Sequence, residues 1–111
     1  MVEIVSIDGK NYPVKFGFNA LRLFGNETGK SLAEIMTLSN DIGINDAVAL
    51  MWAGLKDGHR VEKVAFIMTM DDVSDLLDAD PAALNKVMEV FAKSFKAPES
   101  GNAQTQPTAT L

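Results

Sequence analysis

The first sixteen residues alternate between apolar and polar side chains, and this period of two predicts a β-hairpin over residues 1–16. Asp8 and Gly9 supply the left-handed backbone positions of a tight turn between the two strands. Pro13 has no N–H to donate, so the second strand is predicted to lie at a sheet edge. A two-stranded hairpin is only marginally stable alone, and we therefore expect it to pack on helices.

Apolar residues spaced by three and four follow the hairpin and predict helices over residues 19–96. Asn19 is expected to cap the first helix, and Gly29 is expected to end it. Ser31 and Glu34 have the spacing of a capping box, which predicts that a second helix opens immediately afterwards.

The segment 47–55 contains no polar residue, which predicts a central helix that is buried on every side. Asn45 is the expected cap of this helix, and residues 56–58 are its expected end. Residues 61–68 fit two interpretations, because apolar spacings of three and four indicate a helix while the run 64–68 is typical of a short strand. We favour the helix because those spacings hold throughout.

Two further helix starts are marked by their caps. Thr69 and Asp72 repeat the capping pattern, and Asp80 with Pro81 gives the cap and first-turn proline of the last helix. The apolar stripe of that last helix consists of Leu84, Val87, Met88, Phe91 and Phe95.

The chemical character of the chain changes at Pro98. Residues 98–111 have almost no apolar content and no periodicity, which predicts a flexible C-terminal tail. We therefore expect a single globular domain over residues 1–97. Its predicted fold class is α+β, mainly α, with the N-terminal β-hairpin packed on a small bundle of about five helices.

Composition excludes several classes of protein. Lys and Arg number 10 against 15 Asp and Glu, a net charge of -5, and the basic residues do not cluster, so nucleic-acid binding is disfavoured. The absence of cysteine excludes disulfides and thiolate metal sites. No apolar stretch reaches the roughly 18 residues of a membrane helix, and the N-terminus lacks a basic leader, so neither a membrane span nor a signal peptide is expected.

Candidate catalytic chemistry is sparse. His59 is the single histidine, and without a second His or Cys it is better interpreted as a solvated turn residue than as a metal ligand or base. A dense acidic cluster lacks the glycine and terminal glutamate of a calcium loop, so we interpret it as helix caps and wet surface, with a basic partner as the alternative. The cluster consists of Asp71, Asp72, Asp75, Asp78 and Asp80.

The segment 25–31, GNETGKS, ends like a phosphate-binding loop, but only three residues separate its glycines and it follows a predicted helix rather than a strand. A nucleotide site is therefore disfavoured. We predict no catalytic residue, no cofactor and no metal, and hence a protein that is not an enzyme.

Methionine suits adaptable binding surfaces as well as cores. Among the methionines, we assign Met70 to a partner surface and most of the others to the core.

The segment 12–32 reads YPVKFGFNALRLFGNETGKSL, in which a strand with aromatic side chains runs into a helix and a second helix opens at Ser31. This order resembles the start of the tail assembly chaperones of long-tailed, siphovirus-type bacteriophages and prophages. The segments LMWAGLK at 50–56 and TMDDVSDLLD at 69–78 are also similar to that family. The similarity covers about residues 2–95.

This resemblance implies a non-catalytic, mainly helical protein of the host bacterial cytoplasm that is absent from the mature virion. It implies binding to the tape measure protein, which such chaperones coat and keep soluble, and recruitment of the major tail tube protein. It also implies that the C-terminal extension contacts other tail proteins. Assembly of the chain into a homo-oligomer is left open.

With that function, we expect an apolar groove between the first and last predicted helices, in which exposed aromatic side chains act as anchors. Trp52 would join it if the central helix is not fully covered. The predicted partner-binding residues are Leu21, Phe24, Trp52, Met70, Phe91 and Phe95.

Two other functions are weighed against the chaperone. The alternative from a different class is a small structural phage protein, such as a head–tail joining or tube-associated subunit, which is retained in the virion. A small enzyme or nucleotide binder is the third, and the sequence disfavours it.

Overall fold

The computed structural model describes residues 2–37 and 42–95, which form two strands and five helices. The predicted fold class, α+β and mainly α with an N-terminal hairpin, is confirmed. The expected flexible tail at 98–111 lies outside the described residues. In chain order the elements are β1 (Glu3–Ile7), β2 (Lys10–Val14), α1 (Phe18–Thr28), α2 (Leu32–Met36), α3 (Ile44–Glu62), α4 (Met70–Ala79) and α5 (Ala82–Phe95).

The hairpin has the predicted tight turn. β1 and β2 are antiparallel, and Ile7 pairs with Lys10 across the turn. Asp8 and Gly9 both have positive φ, 50° and 79°, which matches the right-handed twist of the strands. Pro13 lies in β2, which is an edge because the sheet has two strands. The buried inner face of the hairpin and of the residues that follow it consists of Val5, Ile7, Val14 and Phe16.

Helix α3 is the centre of the fold, as its apolar sequence predicts, and β2, α1, α4 and α5 all pack against it. Two glycines of α3 let the hairpin approach closely. A Cβ on Gly58 would collide with the carbonyl of Pro13, and a Cβ on Gly54 would collide with the ring of Phe16. Glycine is therefore required at both positions for close backbone approach.

The predicted limits of α3 are wrong at both ends. Residues 56–58 lie inside the helix, which ends at Glu62 and is followed by Lys63 with a left-handed φ of 59°. Gly58 was the expected stop, but it serves close packing against β2 instead. Asn45 is not the cap, because the helix already begins at Ile44 and Gly43 occupies the cap position without a side-chain hydrogen bond.

The predicted helix over residues 61–68 is also wrong. Its first two residues complete α3, and residues 64–69 form neither helix nor strand. The left-handed turn at Lys63 takes the chain off the helical path. Trp52 Nε1–H then donates to the Met68 carbonyl at 3.2 Å, which ties the irregular segment to α3.

Local signals around α1 are partly confirmed. The helix begins at Phe18 with Gly17 at the cap position, so the prediction of Asn19 as cap is wrong. Asn19 Oδ1 instead accepts a hydrogen bond from Arg22 Nη2 at 3.4 Å. Gly29 ends α1 as predicted, with a left-handed φ of 74°.

Both predicted capping boxes are confirmed, one formed by Ser31 and Glu34 and the other by Thr69 and Asp72, each with reciprocal hydrogen bonds. Helix α5 begins at Ala82, one residue later than predicted.

Three polar contacts join the hairpin to the end of α4 and to α5. They are Asp8 N–H to Asp80 Oδ2 at 2.9 Å, Lys86 Nζ to the Ser6 carbonyl at 2.9 Å, and Lys93 Nζ to Glu3 Oε1 at 3.0 Å.

Candidate functional site

Three of the predicted partner-binding residues lie in the core. Leu21 and Phe24 of α1 and Phe91 of α5 are buried, and Phe24 is 0% exposed. The ring of Phe91 packs edge-on against Phe16, with ring centroids 5.4 Å apart. The predicted groove of exposed aromatics between α1 and α5 is therefore wrong, because burying these side chains against α3 and the hairpin removes more apolar surface from water.

The other three predicted residues, Trp52, Met70 and Phe95, are partly exposed. Lys56 Nζ lies 5.0 Å from the centre of the Trp52 ring, within cation–π range. The ring of Phe95 lies beside Phe91, with centroids 5.3 Å apart. A partner-binding role for these three side chains stays a prediction.

An apolar groove with a volume of about 510 Å³ lies between α1 and α2, and we call it the α1–α2 groove. The buried side chains of Leu21 and Ile35 line it together with two exposed apolar residues. These are Phe18, which is 78% exposed, and Leu32, which is 55% exposed. Removing side chains of this size and exposure from water is favourable, so a partner that covers this surface is stabilised on it.

The turn between the two helices creates this groove. Gly29 reverses the chain in its left-handed conformation, and the Ser31 capping box starts α2 at once. Space at Gly25 is tight, because a Cβ there would lie 3.3 Å from the Lys30 carbonyl oxygen. Arg22 and Lys30 add positive charge to the lining, although Lys30 Nζ is paired with Asp46 at 3.4 Å.

Sequence reasoning missed the exposed side of this groove. The expected cap at Asn19 left Phe18 outside the first helix, so its position on an open face was not considered. The signal was present in the segment 12–32, where Phe18 and Leu32 are large apolar residues close to two helix starts.

A second groove, of about 490 Å³, lies between the end of α1, the start of α3 and the start of α4. It contains Met70, the residue that the sequence assigned to a partner surface. Apolar and acidic side chains share its lining, among them Ile44, Val48, Met70, Glu27, Asp46 and Asp71.

Asp57 is a buried carboxylate that the sequence did not single out. It is 0% exposed, and its Oδ1 accepts from Arg60 Nε at 2.7 Å. Lys15 Nζ lies 3.8 Å from Oδ2, an oxygen that has no hydrogen-bond donor among the described residues. The sequence signal for this ion pair was the three-residue spacing of Asp57 and Arg60. It was missed because the helix was expected to end at residues 56–58.

His59 is not the solvated turn residue that the sequence predicted. It lies inside α3, buried, with Nδ1 2.6 Å from the Leu55 carbonyl, so Nδ1 carries the proton that it donates. Its ring packs near Phe66 and Tyr12, with centroid distances of 4.9 and 6.3 Å. The prediction failed because α3 continues for one more turn than expected.

Two residues of the acidic cluster and two of the loop-like segment have structural roles. Asp72 Oδ2 accepts from the Thr69 N–H in the capping box of α4, and Asp80 Oδ2 accepts from the Asp8 N–H in the hairpin turn. Within residues 2–37 and 42–95, no group of three or more His, Cys, Asp or Glu side chains is placed to hold a metal ion. Lys30 and Ser31, the last two residues of GNETGKS, are engaged in an ion pair and a capping box.

In the same described ranges, none of the helices combines the length and apolar character needed to cross a bilayer.

Comparison with known proteins finds no matching family model, no similar curated protein and no similar solved structure.

Proposed function

We propose that this chain is a non-catalytic tail assembly chaperone of a long-tailed bacteriophage or prophage. In this role it binds the tape measure protein and recruits major tail tube subunits in the host bacterial cytoplasm, and it leaves before the virion is complete. The observation that supports the proposal most directly is the composition of the α1–α2 groove. Every residue that lines it except Ile35 belongs to the segment 12–32, which carries the resemblance to that family.

The chemistry of the groove suits the apolar face of a helix. An amphipathic helix docks in such a groove through apolar side chains at positions i, i+3, i+4 and i+7. Phe18 and Leu32 present large exposed surfaces for that contact, and the buried Leu21 and Ile35 lie beneath them in the lining. A long helical tape measure protein offers repeated apolar stripes of this kind, which would aggregate if they were left uncovered.

The charge of the chain supports the same role. With a net charge of -5, each bound copy adds negative charge to the complex. Like charges on successive copies keep such assemblies apart in solution. Coverage of the apolar stripe and addition of charge together keep a long helical partner soluble.

The proposal is tested by co-expressing the tagged chain with the tape measure protein and tube protein encoded beside it, followed by affinity purification and mass spectrometry. Wild-type chain is expected to recover both. Leu32→Glu places a charge on the exposed part of the groove and should lower tape measure recovery by about tenfold, or ~1.4 kcal/mol. Ile4→Glu is the matched control, because Ile4 is also exposed and apolar but lies on β1, outside the groove.

Three outcomes would contradict the proposal. If wild type recovers no tape measure protein, the chaperone function fails. If Leu32→Glu recovers as much as Ile4→Glu, with both variants folded by circular dichroism, the groove is not the binding surface. Detection of the chain in purified virions would favour the retained structural subunit instead.

A further inference from the structure

A third cavity, of about 270 Å³, lies between α1, α3 and the irregular segment that follows α3. Leu23 of α1 and Val64 and Phe66 of the irregular segment form its apolar walls. Val64 is 52% exposed, so this wall is open to a partner from solution. We call this cavity the basic pocket, and its lining consists of Asn19, Arg22, Leu23, Lys56, Asp57, Arg60, Val64 and Phe66.

Positive charge accumulates around this pocket although the chain as a whole is acidic. Arg22, Lys56 and Arg60 line it against a single carboxylate, that of Asp57, which Arg60 already engages at 2.7 Å. Among the residues that the structure describes, Arg22 and Lys56 form no salt bridge. Two cationic groups therefore flank an apolar cavity with no ion-pair partner in the described part of the chain, and Lys56 Nζ lies against the Trp52 ring.

We infer that the basic pocket is a docking site for an acidic amphipathic helix of a partner protein. One large apolar side chain of that helix enters between Val64 and Phe66, and carboxylates one turn away face Arg22 and Lys56. Charge complementarity selects this occupant, since a basic helix would bring like charges together at the pocket rim. Neither Phe18 nor Leu32 lines this pocket, although Arg22 lines both the pocket and the α1–α2 groove, so the pocket adds a second, adjacent partner surface to the proposed function.

Fluorescence anisotropy with two labelled peptides of about 18 residues, five helical turns, tests this inference. One peptide combines Leu and Ala with Glu, and the other carries Lys in place of every Glu. The acidic peptide is expected to bind at least about tenfold more tightly, and added salt should weaken its binding. Lys56→Glu and Val64→Glu should each weaken it by about tenfold or more. Lys10→Glu, an equal charge change on the exposed hairpin, should have little effect.

Several results would overturn the inference. They are equal affinity for both peptides, no binding of the acidic peptide, or equal effects of Lys56→Glu and Lys10→Glu. Analytical ultracentrifugation identifies a different occupant if wild type self-associates and Val64→Glu abolishes that association. Failure here is distinguishable from failure of the proposed function, because Leu32→Glu should still bind the acidic peptide and Val64→Glu should still recover the tape measure protein.

Discussion

The backbone N–H of Lys15 donates to the carbonyl of Gly54 at 3.0 Å, which joins the chain just after β2 to the middle of α3. A hydrogen bond between a strand end and a helix interior requires the two backbones to approach without a side chain between them. Gly54 and Gly58 lie four residues apart, on one face of α3, and provide that access.

Gly58→Ala is expected to lower the free energy of unfolding by about 2–3 kcal/mol, although alanine is the better helix former by about 1 kcal/mol. The added Cβ meets the backbone of Pro13, which cannot move without displacing β2. Urea denaturation monitored by circular dichroism measures the change. Gly43→Ala, where space is open, should cost less than about 1 kcal/mol. Equal losses for the two variants would contradict the packing argument.

Phe24→Ala is expected to destabilise the fold by about 3–5 kcal/mol, because the side chain is completely buried and its removal leaves a cavity. Phe18→Ala removes the same side chain from an exposed position and should change stability by no more than about 0.5 kcal/mol. Thermal unfolding of both variants checks the contrast. A stable Phe24→Ala variant with weakened partner binding would restore Phe24 as a binding residue.

Arg60→Gln is expected to cost about 2–3 kcal/mol, since it removes the charged donor to the buried Asp57 carboxylate. The loss is smaller than the ~3–5 kcal/mol of a fully buried pair, because the Arg60 side chain is 56% exposed and Lys15 Nζ remains 3.8 Å from the other carboxylate oxygen. Arg22→Gln makes the same chemical change at an exposed cation and should be nearly neutral. Chemical denaturation compares them, and a neutral Arg60→Gln would show that Lys15 and water suffice for Asp57.

The pKa of Glu34 lies below its ordinary value of 4.5, chiefly because the Ser31 backbone N–H donates to its ionised carboxylate, and also because of the Ser31 hydroxyl. A lowered pKa in the folded state stabilises that state above pH 4.5, and the contribution is lost as pH falls through the folded pKa. An NMR titration of the Glu34 side chain should therefore give a midpoint below 4.5.

Ser31→Ala tests the cause of that shift. It removes the hydroxyl but keeps the backbone N–H, so the titration midpoint of Glu34 should rise only part of the way to 4.5. A full return to 4.5 would mean that the hydroxyl, rather than the backbone N–H, dominates.

Some features that depend only on neighbouring residues were predictable from the sequence, although the caps at Asn19 and Asn45 were not. The turn at Asp8, the stop at Gly29 and both capping boxes follow from local backbone chemistry, and all are confirmed. The end of α3 was not predictable in this way. A glycine stops a helix or admits a neighbouring backbone, and only the position of β2 decides between these two roles for Gly58.

The candidate binding surfaces were less predictable than the fold. Apolar spacing identifies large side chains but not whether a neighbour covers them, so Phe24 was predicted to be exposed although it is buried, and the exposed face of Phe18 was not considered. The environments of Asp57 and His59 depend on one extra turn of α3, and a single helix boundary therefore changed the interpretation of both residues.

The contacts from the hairpin to Asp80, Lys86 and Lys93 have a consequence for the order of events on the ribosome. The partners in these contacts are separated by 72, 80 and 90 residues, so β1 emerges long before these three polar partners. Early hairpins are marginal alone, and contacts of such long sequence separation form late in folding. The hairpin therefore has α3 to pack against, through β2 and the Lys15 N–H to Gly54 carbonyl bond, before its polar contacts to Lys86 and Lys93 are added by the synthesis of α5.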